Sequence, residues 1–418
     1  MTSFMEGRNS LNLARLRPHN RLFKVSLIGS CLFAVTGLIP HGLGIHAEAN
    51  AQNYNSEREV VCARPEFTSA PDADFIRAKH AEFHNFFGRG SGIKIAVIDT
   101  GVADHPQLRG VIPGADLVTP SNPEPLLDCE GHGTIVAGII AGTDLGIAPD
   151  STIISIKQSS TTAGNPEESG NLKTMAAAID KAVELGARII NISIISCVDP
   201  ALNTDISALL RATEKAEAAG VIIVAAAGNI SDSCPQGSKV FPAHIPTVIA
   251  VKALDENTKI TSYSVDTPPE QFALSASGHI ELGISPSGEG WAKGVIPPRQ
   301  QHSVAINGTS FAAPYISAIV ALMVERYPTA SPADIKKVLQ NIAFPPVNAI
   351  NPEAAIAALS PEYAEITSSD KTPVRKLKLS TIPPTDPHPE ERFRYFIFIF
   401  GALHLIGFIG YGIKTARK

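Results

Sequence analysis

The sequence predicts an α/β domain built on a mostly parallel sheet covered by helices on both faces, plus one C-terminal transmembrane helix. Two patterns carry that expectation. From about residue 91, unbroken Val/Ile runs of strand length alternate with helical runs, as in βαβ units whose strands are buried on both faces. Near the C-terminus stands an uncharged apolar run of 18 residues. With 418 residues, 44% hydrophobic and 18% charged, the chain can bury a full core.

Taken in order, the N-terminal 51 residues carry Arg8, Arg15, Arg17, Arg21 and Lys24 against Glu6 and Glu48. Val25 to Ile39 is apolar, and Ala47, Ala49 and Ala51 supply small-x-small cleavage patterns. Residues 1–51 therefore read as a secretory signal peptide. The alternative, a retained anchor, is weakened because the apolar run is shorter than the ~20 residues of a spanning helix. Cys31 falls inside the run and reads as part of it rather than as a lipid-attachment site. Residues 52–90 form an extension whose structure the sequence does not define.

The expected strands are 93–99 (IKIAVID), 152–157 (TIISIK), 187–194 (ARIINISI), 221–228 (VIIVAAAG) and 247–254 (TVIAVKAL); the expected helices are 171–187 and 205–220. Gly278 to Arg299, rich in Gly, Pro and Ser, reads as an excursion from the core. No internal repeat is present. The domain is drawn as 91–360, followed by a Pro-rich tether at 361–392 whose prolines stiffen the chain and block regular pairing. A transmembrane helix at 393–413 follows, with Phe396 to Ile413 free of formal charge and about 27 Å long at ~1.5 Å per residue. His404, midway along it, reads as a tolerated neutral histidine. The tail at 414–418 (KTARK) is cationic and favours the cytoplasmic side, which puts the main domain outside the membrane.

The net charge is −5, of which the N-terminal 51 residues contribute +3, so the remainder carries −8. A body that acidic lacks the clustered cations that phosphate neutralisation needs, which argues against nucleic acid as a partner. Removal of the signal leaves Cys62, Cys129, Cys197 and Cys234. Four cysteines in an exported domain suggest two disulfides, with three pairings possible.

Four residues stand where chemistry is usually found. Asp99 ends a strand in IDTGV, and functional groups of open α/β sheets gather at strand carboxyl ends. His132 lies between Gly131 and Gly133 in GHGTIVAGIIAG, at the start of an apolar helix. Asn229 closes VIIVAAAGN, where its amide could donate to an oxyanion or simply make a turn. Ser310 opens the helix of NGTSFAAPYISAIVALM, whose Pro314 falls in the first turn, where a missing N–H is tolerated. A helix N-terminus supplies free amides and a positive dipole end to a developing oxyanion.

Together IDTGV, GHGTIVAG and NGTSFAAP resemble the three signature segments of the subtilisin-like serine peptidases, over about residues 91–345. That resemblance implies a three-layer subtilisin-like fold, a catalytic triad of Asp99, His132 and Ser310, and an oxyanion hole that includes Asn229. It implies no cofactor and no metal in the chemistry, and a protein or peptide as substrate. The architecture of leader, extension, four cysteines, tether and anchor is more narrowly similar to the mycosins, membrane-anchored subtilases of type VII secretion systems. In that family the extension wraps the catalytic domain and is tied to it, which implies pairing of Cys62 with Cys129 and of Cys197 with Cys234. It also implies a type VII secretion membrane complex as partner, with a structural subunit of that complex as the alternative function. An esterase or amidase using the same triad is a third reading. After the strand ending in NIS (191–193) the chain reads IISCVDP, where many subtilases carry a glycine-containing segment, so substrate preference is not legible.

Overall fold

Strand residues two apart face the same side of a sheet, and in this chain the alternation separates two hydrophobic cores. The computed structural model describes residues 61–78, 80, 88–161 and 170–358. The signal peptide at 1–51, tether at 361–392, span at 393–413 and tail at 414–418 lie outside those residues. Among the described residues no helix is long and apolar enough to cross a membrane.

The extension supplies β1 (Arg64–Thr68). The central sheet then comprises β2 (Lys94–Asp99), β3 (Val111–Asp116), β4 (Thr152–Lys157), β5 (Ile189–Ile192), β7 (Ile222–Ala226), β9 (Ile249–Leu254) and β10 (Ala273–Ser277). All its pairings are parallel, in the order β10-β9-β7-β5-β2-β4-β3. Ile95, Val97, Ile153, Ile189, Val224 and Val251 face one core, shared with α1 (His132–Ala141) and α4 (Thr309–Arg326). Ile98, Ile154, Ile156, Ile190, Ile192 and Ile223 face the other, shared with α2 (Leu172–Glu184) and α3 (Ser207–Ala218). Helices on both faces of a parallel sheet give three layers.

Each helix type follows from its sequence. α4 is apolar nearly all round and is buried from Phe311 to Val324 apart from Tyr315, as expected of a helix inside a core. α2 is amphipathic, and Asn171 caps it by accepting from the amides of Lys173 and Thr174. Two further helices close the described chain, α5 (Pro332–Ile342) and α6 (Pro352–Ala357).

One expectation needs correction, and the extension takes a definite form. Gly278–Arg299 is no excursion: it contributes β11 (His279–Ile280), β12 (Gly283–Ile284) and β13 (Trp291–Ile296), with Ile284 and Trp291 buried in the core. The extension is likewise structured, because β1 pairs antiparallel with β13, which also pairs with β14 (Val304–Asn307). Gly and Ser in this region mark the tight turns between short strands. The remaining strands, β6 (Ser196–Val198) and β8 (Lys239–Phe241), pair antiparallel beside the end of β5.

Both cysteine pairs implied by the resemblance are present, Cys62–Cys129 with Cα atoms 4.5 Å apart and Cys197–Cys234 at 5.4 Å. The first ties the extension to the turn just before His132, and Ala63 N–H adds a 2.8 Å hydrogen bond to the Cys129 carbonyl.

Candidate active site

The order of strands reverses around β2: from β2 the chain goes to the edge strand β3, steps back to β4, then crosses to β5 on the other side of β2 and continues to the opposite edge. Ligand crevices form at such a switch point, beyond the strand carboxyl ends. Asp99 ends β2, Ser193 follows β5, and Asn229 follows β7, so three strands deliver side chains to one rim.

Asp99 is fully buried, and its Oδ1 accepts from His132 Nδ1–H at 2.7 Å and from the Thr100 amide at 2.8 Å. His132 is the first residue of α1, with 26% of its side chain exposed. Its helix approaches β2 closely because residue 133 is glycine. A Cβ there would collide with the Gly101 carbonyl oxygen and lie 3.0 Å from Asp99 Cβ. Burial opposes charging of His132, but the Asp99 charge and hydrogen bond, with Asp128 and Glu130 nearby, outweigh it and raise its pKa. The hydrogen bond also fixes the neutral imidazole with its proton on Nδ1 and a lone pair on Nε2.

Ser310 is the second residue of α4, where helix geometry leaves amides without intrahelical acceptors. Its position is set by a relay: Ser317 Oγ–H donates to Asn191 Oδ1 (2.8 Å), Asn191 Nδ2–H to Ser193 Oγ (2.9 Å), and Ser193 Oγ–H to the Ser310 carbonyl (2.7 Å). This fastens the start of α4 to the end of β5. His132 and Phe311, the residue after Ser310, pack with ring centroids 5.1 Å apart and planes tilted by 46°. Among the described residues, neither Ser310 Oγ nor His132 Nε2 is engaged in a hydrogen bond.

Asn229 is oriented by its oxygen, which accepts from Thr309 N–H and Oγ1–H, each at 3.0 Å. Its two Nδ2 protons have no acceptor among the described residues and are available to an oxyanion. Gly308 is required here: it has φ +151°, and a Cβ on it would lie 2.9 Å from Asn229 Nδ2.

Sequence reasoning misses six residues of this arrangement: Thr100, Asp128, Asn191, Ser193, Thr309 and Ser317. Asp128 is buried and accepts from Thr100, Gly131 and Thr134. Its one signal is an acidic residue a turn ahead of His132. Among the described residues no group of three or more His, Cys, Asp or Glu is disposed to hold a metal ion.

A parallel sheet with helices on both faces, carrying a buried aspartate bonded to a histidine beside a helix with serine in its first turn, defines a class of hydrolytic enzyme. The family model for the Peptidase_S8 subtilases matches residues 90–378, and the chain belongs to that family of serine endopeptidases. Within it the chain is of the mycosin type. Mycosin-4 of Mycobacterium tuberculosis (strain ATCC 25618 / H37Rv) is 36% identical over 319 residues, covering 68% of this chain and 69% of that protein. The crystal structure of MycP1 from Mycobacterium smegmatis superposes with a TM-score of 0.62 at 28% identity, covering 71% of this chain and 88% of that one. A chain in the structure of the periplasmic assembly from the ESX-5 inner membrane complex gives 0.64 at 29% identity, covering 78% and 93%.

Proposed function

We propose that this chain is a membrane-anchored, extracytoplasmic endopeptidase that cleaves protein or peptide substrates through Asp99, His132 and Ser310 and serves type VII protein secretion. The observation that carries the catalytic part is the 2.7 Å hydrogen bond from His132 to a buried Asp99, with His132 packed against the residue after Ser310.

In this reading His132 Nε2 takes the proton of Ser310 Oγ as that oxygen attacks the scissile carbonyl, since a serine hydroxyl is a weak nucleophile without a base. Asp99 holds the tautomer and stabilises the imidazolium. The Ser310 amide and Asn229 Nδ2 donate to the oxyanion of the tetrahedral intermediate. Collapse returns the proton from His132 to the leaving amine and leaves an acyl-enzyme. Water then attacks it, with His132 again as base. Contacts between nucleophile and base tighten when substrate fills the crevice.

The anchor is assigned to residues 393–413 on the apolar, uncharged run from Phe396 to Ile413 within them. The secretion role is supported by likeness to the ESX-5 periplasmic assembly, which equally favours a second reading: a structural subunit of the secretion complex in which catalysis is dispensable. Fluorophosphonate labelling of the full-length chain tests the first, with an adduct on Ser310 expected. A folded protein without that adduct overturns the catalytic assignment. Ser310→Ala separates the two readings in a cell: loss of secretion supports catalysis as the essential role, and normal secretion with Ser310→Ala but none on deletion supports the structural one.

A further inference from the structure

We propose that Asp128 is a positioning residue for the acid–base pair, orienting Asp99 through Thr100 and fixing the start of the His132 helix through Gly131 and Thr134. The inference rests on the reading of Asp99 and His132 given above.

Asp128 is 6% exposed and saturated with donors. Oδ1 accepts from Thr100 Oγ1–H at 2.7 Å and Gly131 N–H at 2.8 Å; Oδ2 accepts from Thr134 N–H at 2.8 Å and Oγ1–H at 2.6 Å. Such a site accepts only: an amide in its place would turn an NH₂ toward donors, and a methyl would strand four of them.

Thr100 is the joint. Its hydroxyl accepts from the Gly133 amide at 3.1 Å, so its single proton points toward the carboxylates. Asp128 Oδ1, at 2.7 Å, is nearer than Asp99 Oδ1, at 3.2 Å. The amide of the same residue donates to Asp99. Thr100 therefore grips Asp99 with its backbone and Asp128 with its side chain, and movement of one carboxylate is passed to the other. Thr134 mirrors it on the helix, with a hydroxyl that donates to Asp128 and accepts from Ala103 N–H at 3.0 Å, just beyond β2. Both elements of the pair are thus bolted to one buried group. Asp99, Asp128 and Glu130 are the charged groups that face His132.

The test uses the full-length chain carrying Ser310→Ala, so that no turnover is needed, with ¹⁵N-labelled histidine. The readouts are the downfield His132 Nδ1–H resonance and the titration of the ring, assigned by their loss in His132→Ala. Thr100→Val keeps the bulk and removes the hydroxyl. It is expected to shift or broaden the resonance and to move the midpoint by about half a unit, while Thr100→Ser retains the parental signal. Asp128→Asn, where it folds, is expected to move both in the same sense. With Ser310 restored, Thr100→Val is expected to lower kcat per labelled site about 10²-fold at little change in KM. An unchanged resonance and midpoint in Thr100→Val, or Thr100→Ser behaving like it, overturns the proposal. Failure of the Ser310 protein to take a fluorophosphonate overturns the catalytic reading instead and leaves the His132 measurement standing.

Discussion

The His132 imidazole and the Phe311 ring lie 5.1 Å apart, tilted by 46°. His132 and Phe311 stand in the first turns of two helices, and the contact brings the imidazole against the residue next to Ser310.

Asp99→Asn leaves the shape of the site and reverses a hydrogen-bonding face, so the ring takes the wrong tautomer. kcat is expected to fall about 10⁴-fold with an unchanged circular-dichroism spectrum. Turnover within tenfold of the parent would remove Asp99 from the mechanism.

Asn229→Ala deletes the proposed oxyanion donor, and with it the acceptor for Thr309, while the Ser193 bond to the Ser310 carbonyl keeps the start of α4 in place. The expected cost is about 10²–10³ in kcat with KM nearly constant, the size of effect seen when such a donor is removed from a subtilisin. Steady-state kinetics on a chromogenic peptide would show it, and an effect confined to KM would argue for ground-state binding alone.

His132 must be neutral to act as base, and its pKa is raised, with burial opposing and Asp99 dominating the favourable contributions. Activity is therefore expected to rise with pH through a midpoint above the ordinary histidine value of about 6.5. Stability runs the other way. A pKa raised on folding contributes stability that is present in full below the unfolded value and is lost as pH climbs through the folded one. A kcat/KM profile and a series of denaturant midpoints across that range would check both signs; an acidic limb below about 6 contradicts them.

Cys62→Ser with Cys129→Ser opens a closure spanning 67 residues. On the chain-entropy account the loss is about 4 kcal/mol, reduced to the extent that β1 stays paired. Urea unfolding of the double variant would measure it. A loss under about 1 kcal/mol would mean that the β1–β13 pairing alone holds the extension.

What was legible in the sequence tracks burial. β2, β4, β5, β7 and β9, the interior strands, are rich in Val, Ile and Ala, and each lies within its expected span. The two strands left out, β3 and β10, are the edges of the same sheet. β3 contains Pro113 and Gly114, and β10 is ALSAS, whose small residues carry little strand signal. Asp99, His132, Asn229 and Ser310 stand out in the sequence by their places at strand ends and helix starts, with glycines beside three of them. Thr100, Asn191 and Ser193 do not, because a buried hydroxyl or amide that fastens one element to another has no periodicity and takes its meaning from a partner far along the chain. Ser317 and Asn191, 126 residues apart, show why.

β1 is joined to the body twice, by its ladder to β13 and by Cys62–Cys129, and Lys293 adds an ion pair to Glu66 at 2.9 Å. A nick anywhere between Thr68 and Gly88 would therefore yield a two-chain enzyme rather than a shortened one. The severed N-terminal piece would copurify with the remainder, separate only on a reducing gel after denaturation, and continue to occupy its place in the sheet. Maturation by such a cut would change the number of chain ends and not the composition of the folded molecule.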